Sequence, residues 1–232
     1  MREAFERAVA DYQLTCLELA ADALAVAGAS LDRTGLFLLG EMHGVAQTPL
    51  AILELVNCLG IRSLAFEWSY DELDGVVQPV LSTGRVDLEA LWGLSSSAEV
   101  FSGDGRFTAG HVRLPEHLSE RLDRIVLLDR VGSEGQERET GMTRRLLDER
   151  REGSRTLAIL GAAHVLREPL ADGVAPVGLL VERDLPGVAN GALVPDGGTC
   201  WFHGEQAVSP AAPAVDVLVP IGPAGPAGVP LR

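Results

Sequence analysis

Lysine is missing altogether: the 19 cationic side chains are all arginine, against 33 aspartates and glutamates, which leaves a formal charge of −14. A chain this acidic, with no basic stripe, repels a nucleic-acid backbone, and no nucleic-acid partner is expected. The lysine deficit accompanies abundant Ala, Gly and Val, the usage of GC-rich coding, and carries no chemistry of its own. Cysteine is scarce as well. Cys16, Cys58 and Cys200 are odd in number and form no CxxC pair, which argues against a disulfide framework or a thiolate zinc site and for a reducing compartment. No apolar run approaches the roughly 20 residues that a membrane span needs. The opening stretch MREAFERAVADYQLTC is charged every few residues, so it reads as neither a signal peptide nor a lipoprotein anchor, and the expectation is a cytoplasmic protein without a membrane partner. P-loop, dinucleotide fingerprint and HExxH helix are all missing, and LSSSAE at 94–99 lacks the glycines of a nucleophile elbow.

What is present is a chain of 232 residues, 47% hydrophobic, enough to bury one core. Phe5, Val9, Tyr12, Cys16, Leu19 and Ala23 recur at helical spacing and predict a long amphipathic first helix. GLFLLG, IRSLAFE, DRIVLLD and RTLAILG are short apolar runs bounded by Gly or charge and separated by helical patterns. That alternation predicts an α/β fold with a mostly parallel central sheet flanked by helices. TPLAILELVNCLG reads as a helix with Thr48 as N-cap, Pro49 at the first position and Gly60 as its stop. A second helix is read in GQERETGMTRRLLDERREG. Residues 70–120 are less regular and are read as a helical insertion capping the carboxyl ends of the strands. APVGLLVE, GTCWFHG and AVDVLVPIG are candidates for further strands. One α/β domain over 1–221 is expected, followed by a disordered Pro/Gly tail at 222–232.

The polar residues fall in a pattern. Glu41 and His43 follow the first strand, Glu67 ends the second, Asp129 ends the third, and His164 follows the fourth. Carboxyl ends of parallel strands line one edge, where open α/β sheets hold ligands. Taken singly, each such residue is commonly a cap or a solvated loop side chain. Taken together, they predict one crevice that could hold them all. Arg138 shares a helix face with Met142 and Leu146, which aims its guanidinium inward. His43 and His164 each stand three residues after a Gly that follows a strand, and two imidazoles plus a carboxylate suit a divalent ion such as Zn, Mn, Co or Fe.

At these residues the chain resembles the superfamily that includes Tiki and TraB proteins, ChaN-like proteins and erythromycin esterases. The resemblance is carried by GEMH at 40–43, FE at 66–67, RETGM at 138–142 and GAAH at 161–164, in that order. It implies an α/β fold with a cleft at the strand ends and, from Tiki-type members, metal-dependent peptide hydrolysis through paired GxxH motifs. On that implication His43, Glu67 and His164 are the metal set and Arg138 is the arginine preceding the helix. The pattern departs from the esterases, which place one more residue between the first Glu and His and often carry His-Asn-x-His at the second motif. Glu139 stands where the esterase and ChaN branches usually have Asp after the arginine. ChaN-like members imply haem or iron, but Tyr12 and Tyr70 are the only tyrosines and no export signal is read, so haem is the weaker implication.

The expected function is a hydrolase cleaving an ester, lactone or peptide bond in a small molecule or short peptide. The alternative is a ChaN-like haem- or metal-binding protein without turnover. Glu41, His43 and Arg138 are the catalytic candidates: Glu41 as base for a metal-activated water, or His43 as base with Glu41 orienting its ring, and Arg138 for developing negative charge. Trp68 and Tyr70, in WSYDELD beside Glu67, and His111 from the insertion are the candidates for substrate contact.

Overall fold

The computed structural model describes residues 1–151, 153–208 and 213–232. Six strands form a parallel sheet: β1 (Leu36–Glu41), β2 (Ser63–Ser69), β3 (Arg124–Asp129), β4 (Thr156–Gly161), β5 (Ala189–Val194) and β8 (Val217–Pro220), in the order β3-β2-β4-β1-β5-β8. β1 and β4 are buried along their whole length, as expected of central parallel strands covered on both faces. Alternation within each strand divides the core. Phe37, Leu39, Leu64, Phe66, Leu157 and Ile159 face one side, and Leu36, Leu38, Ala65, Ala158 and Leu160 face the other.

The first side is covered by α1 (Arg2–Asp11), α2 (Ala21–Thr34) and α3 (Thr48–Leu59), and by α4 (Tyr70–Val77), α5 (Val80–Thr83), α6 (Leu88–Gly93) and α7 (Ala109–Leu118). The second is covered by α8 (Gly135–Glu149) and α9 (Val177–Asp184). Chain leaving β1 and β2 therefore passes to one face and chain leaving β3 and β4 to the other, while β4 lies between β1 and β2. This reversal opens a crevice above the carboxyl ends of β1, β4 and β2.

Several expectations are corrected. The first helix is broken: α1 stops at Asp11, extended chain follows, and α2 begins at Ala21. Tyr12, where the chain turns, donates its hydroxyl to the Ala46 carbonyl, which anchors the break to the loop after β1. α3 is capped at Gln47 rather than Thr48, and stops at Gly60 in the left-handed conformation as read. APVGLLVE yields helix α9, not a strand, because Val177 and Val181 share one buried face at i, i+4. GTCWFHG supplies β6 (Thr199–Trp201), which pairs with β7 (Glu205–Ala207) in a separate hairpin. The segment 70–120 is mostly a face layer: Leu73, Val76, Val80, Leu91, Leu114 and Leu118 pack into the core beside the sheet. Its stretch around 99–111 reaches the strand ends.

The Pro/Gly segment 222–232 is ordered rather than loose. Gly225 and Gly228 carbonyls accept the Ala46 and Ala109 amides at 2.8 Å, and the Ala227 amide donates to Gly44 at 2.9 Å. The segment is a strap joining the loop after β1 to the start of α7. Its composition forbids regular structure but leaves backbone groups free to pair with other loops.

Candidate active site at the strand ends

Missing side chains shape the crevice. A Cβ on Gly40 would meet Val165 Cγ2 at 2.6 Å and Ala162 Cα at 3.0 Å, so the 3-10 turn Ala162–Val165 lies flat across the end of β1 and carries His164 with it. A Cβ on Gly161 would lie 3.0 Å from His43 Nε2 and 3.3 Å from Glu67 Oε2. Bare backbone at the end of β4 is thus the floor on which that imidazole and that carboxylate meet. After His43 the chain turns at Gly44, with φ +74°, where a Cβ would fall 1.8 Å from the Trp201 carbonyl oxygen. The Gly44 amide donates to Gly105 at 3.1 Å and its carbonyl accepts from Trp201 and Ala227 at 2.9 Å, which fixes the turn that presents His43.

Both histidines converge on one carboxylate oxygen: Glu67 Oε1 is 4.0 Å from His43 Nε2 and 3.3 Å from His164 Nε2. His43 Nδ1 lies 3.2 Å from Glu41 Oε1, so the two residues at the end of β1 form a pair of their own. His164 Nδ1 lies 2.6 Å from Glu139 Oε1. Arg138 donates to Glu67 Oε1 at 2.6 Å and grips Asp129 with Nε at 3.0 Å and Nη2 at 2.6 Å, while its Nη1 is 3.2 Å from His164 Nε2. A second guanidinium, Arg106, donates to Asp129 Oδ2 at 3.2 Å and to Asp104 Oδ2 at 2.6 Å. Glu67 Oε2 accepts the Gly161 amide at 2.6 Å.

Burial makes these charges strong. Burial alone would raise the carboxyl pKa of Glu67, 4% exposed, yet the hydrogen bond and charge of His164, with His43 and Arg138, hold it well below the usual range. Burial would likewise strip the proton from His164, but Glu139 and Glu67 outweigh it and lift the imidazole to about 9. His43 is raised too, because the bond to Glu41 and the charge of Glu67 overcome its desolvation. His111 is lowered, because burial outweighs the charge of the nearby Glu41. The crevice therefore holds a cationic His164 at neutral pH beside two arginines.

That arrangement does not fit a divalent ion. Glu67 has one oxygen on the Gly161 amide and the other on Arg138, and His164 has a nitrogen on Glu139 and the other within hydrogen-bond distance of the same guanidinium. A dication between the imidazoles would face the fixed charge of Arg138 at contact distance. Among the described residues no group of three or more His, Cys, Asp or Glu is arranged to hold a metal.

The sequence candidates separate. Glu41, His43, Glu67, Arg138 and His164 come together. Trp68 is buried beside Glu67, stacks on Phe66 at 4.0 Å and donates its indole N–H to the Arg106 carbonyl at 2.8 Å, so it positions the Arg106 loop. Tyr70 sits apart, beneath Arg145, lining a cleft of about 560 Å³ along α8 that reaches Asp129 and Arg138. His111 is 1% exposed and lies behind Glu41 rather than in the opening. Arg106, Asp104 and Glu139 are the residues that sequence reasoning missed as site members. Arg106 and Asp104 lie in an aperiodic loop with no signal to find them. Glu139 was visible only as the neighbour of Arg138.

The chain matches no protein-family model and no curated relative. In structure it is similar to a protein from Bacillus cereus, with a TM-score of 0.66 and 10% identity over 90% of this chain and 92% of that one. It is also similar to the C-terminal region of Pasteurella multocida toxin, described as carrying a thiol-protease-like catalytic triad, with a TM-score of 0.54 and 12% identity over 92% of this chain. A third likeness is to RRSP, a toxin effector domain from Vibrio vulnificus, with a TM-score of 0.49 and 20% identity over 94% of this chain. The chain spans 28% and 41% of those two toxin chains. At 10% and 12% identity, the first two likenesses show the α/β fold alone.

Proposed function

We propose that the protein is a hydrolase that activates water on His43, without a metal, to cleave an ester, lactone or peptide bond in a small molecule or short peptide. The observation that carries this reading is the state of the His43 ring. Glu41 holds Nδ1 at 3.2 Å, and Nε2 points into the crevice with no hydrogen bond among the described residues, on a side chain 19% exposed. An imidazole oriented through one nitrogen and open at the other is suited to general-base work. Arg138 Nη1 and the imidazolium of His164 are the cationic groups beside it that offset charge developing on a carbonyl oxygen.

The triad described for the Pasteurella toxin region supports hydrolytic chemistry on this fold. Here the nucleophile is water rather than a thiol, because Cys16 and Cys58 are exposed elsewhere and Cys200 is buried in the hydrophobic core. The three free thiols support a reducing, cytoplasmic setting. No described helix is long and apolar enough to cross a membrane. The α8 cleft opens beside Arg138, but neither His43 nor His164 lines it. The test is a panel of ester, lactone and peptide substrates assayed in a metal chelator. Turnover is expected to persist there and to be lost in His43→Ala. Activity that disappears with chelator and returns with Zn, Mn, Co or Fe would overturn the metal-free reading.

A further inference from the structure

The pair Glu41–His43 has a third member that the proposed chemistry does not yet use. Glu41 Oε2 and His111 Nε2 are both buried, and neither has a hydrogen-bond partner among the described residues. They face each other at 3.8 Å. Native structures rarely leave a buried donor and acceptor unmade when one small rotation joins them. The His111 ring is held for this purpose from three sides. It stands edge-on to Phe66, with centroids 6.1 Å apart, and to Trp68 at 5.5 Å, and its Nδ1 lies 2.9 Å from Thr108 Oγ1. Gly110 lets the start of α7 approach close enough, since a Cβ there would come to 2.6 Å from Pro49 and Tyr12.

Thr108 also bears on which nitrogen carries the proton. Its Oγ1 accepts the His111 backbone amide as the N-cap of α7, and its other side-chain contact among the described residues is with Nδ1, which the hydroxyl hydrogen is placed to meet. With Nδ1 accepting, a neutral imidazole bears its hydrogen on Nε2, aimed at Glu41. We infer that His111 is a positioning residue which donates Nε2–H to Glu41 Oε2, fixing the carboxylate so that its other oxygen holds the His43 ring. The chain Thr108–His111–Glu41–His43 then runs from the core behind β1 into the crevice. This inference rests on the reading of His43 as the base, and no covalent step is added to it.

Two measurements test it. Nitrogen-15 chemical shifts of His111 in the wild-type protein report the tautomer directly and need neither a variant nor a substrate. The Nε2–H form is expected, and the Nδ1–H form would overturn the proposal whatever the protein hydrolyses. Kinetics on the substrate found in the panel give the second readout. His111→Phe, which keeps a ring and removes the donor, is expected to lower kcat about tenfold or more with KM unchanged, in line with a buried acceptor left unpaired. His111→Gln, which returns a donor near the Nε2 position, is expected to recover most of that loss. Equal kcat in wild type and a folded His111→Phe protein, or a loss that His111→Gln fails to relieve, would overturn it. A wild-type protein that hydrolyses nothing while showing the Nε2–H tautomer would remove the hydrolase reading and leave the His111 donation standing.

Discussion

Glu139 joins His164 to α9: one carboxylate oxygen lies 2.6 Å from His164 Nδ1 and the other accepts the Val177 amide at 2.9 Å. Thus a side chain on α8 fixes the imidazole ring and the start of the next helix together. It also helps keep His164 charged, against a burial that favours the neutral ring. Glu139→Gln is expected to bring the His164 midpoint down from about 9 toward the ordinary 6.5, read by NMR titration. The stability that the imidazolium contributes is fully present below 6.5 and fades as pH rises toward 9, so the variant is expected to lose it at lower pH than the wild type.

The rate should follow both histidines. His43 acts as a base only when neutral, and its pKa is raised, so kcat/KM is expected to climb through a midpoint above 6.5. As His164 gives up its charge near 9, the crevice loses one cation and the rate is expected to fall. A pH profile with these two limbs is the expected result. A profile still rising beyond pH 10 would remove His164 from the cationic side of the site.

Glu67 is the counter-charge under the whole cluster. Replacing it by Ala takes one acceptor each from Arg138, His164 and the Gly161 amide, though Arg138 keeps Asp129 and His164 keeps Glu139. Removing one partner of a buried ion pair costs about 3–5 kcal/mol, and a destabilisation of that order is expected in denaturant unfolding. Because the folded pKa of Glu67 is depressed, its contribution is present above the unfolded value of 4.5 and is lost as pH falls through the folded one. Wild-type stability should therefore drop on acidification more steeply than that of Glu67→Ala.

Gly44→Ala tests the turn that presents His43. The new methyl would collide with the Trp201 carbonyl, and φ of +74° disfavours any L side chain. A loss of at least about 2 kcal/mol is expected in thermal or denaturant unfolding. Gly60→Ala makes the comparison, since its φ is also positive, at +61°, but a Cβ there meets nothing within 4 Å. It is expected to cost about 1 kcal/mol, the backbone penalty alone.

How much of this was legible beforehand depended on periodicity. β1 to β4 announce themselves because each is an apolar run closed by Gly or charge, and their carboxyl ends carry Glu41, Glu67, Asp129 and the turn to His164. The spacing to Met142 and Leu146 puts Arg138 on the inward helix face, where it meets Glu67 and Asp129. β5, ANGALV, was not read as a strand because Asn and Gly interrupt its pattern; Asn190 is buried there by bonding the Val165 carbonyl. The strap at 222–232 and the Asp104–Arg106 loop bond through backbone and through single side chains that no period marks. What the sequence could not show of the metal reading was a matter of distance. Sequence order shows that two imidazoles and a carboxylate share an edge, but not that Arg138 stands among them at 2.6 Å from Glu67.

The most direct measurement is turnover by wild-type and His43→Ala protein on the ester, lactone and peptide panel, with chelator present throughout and folding checked by melting. Loss of the general base is expected to reduce kcat by about 10²–10⁴-fold while the melting temperature holds. A folded His43→Ala protein that cleaves the same substrate at the wild-type rate would contradict water activation at His43.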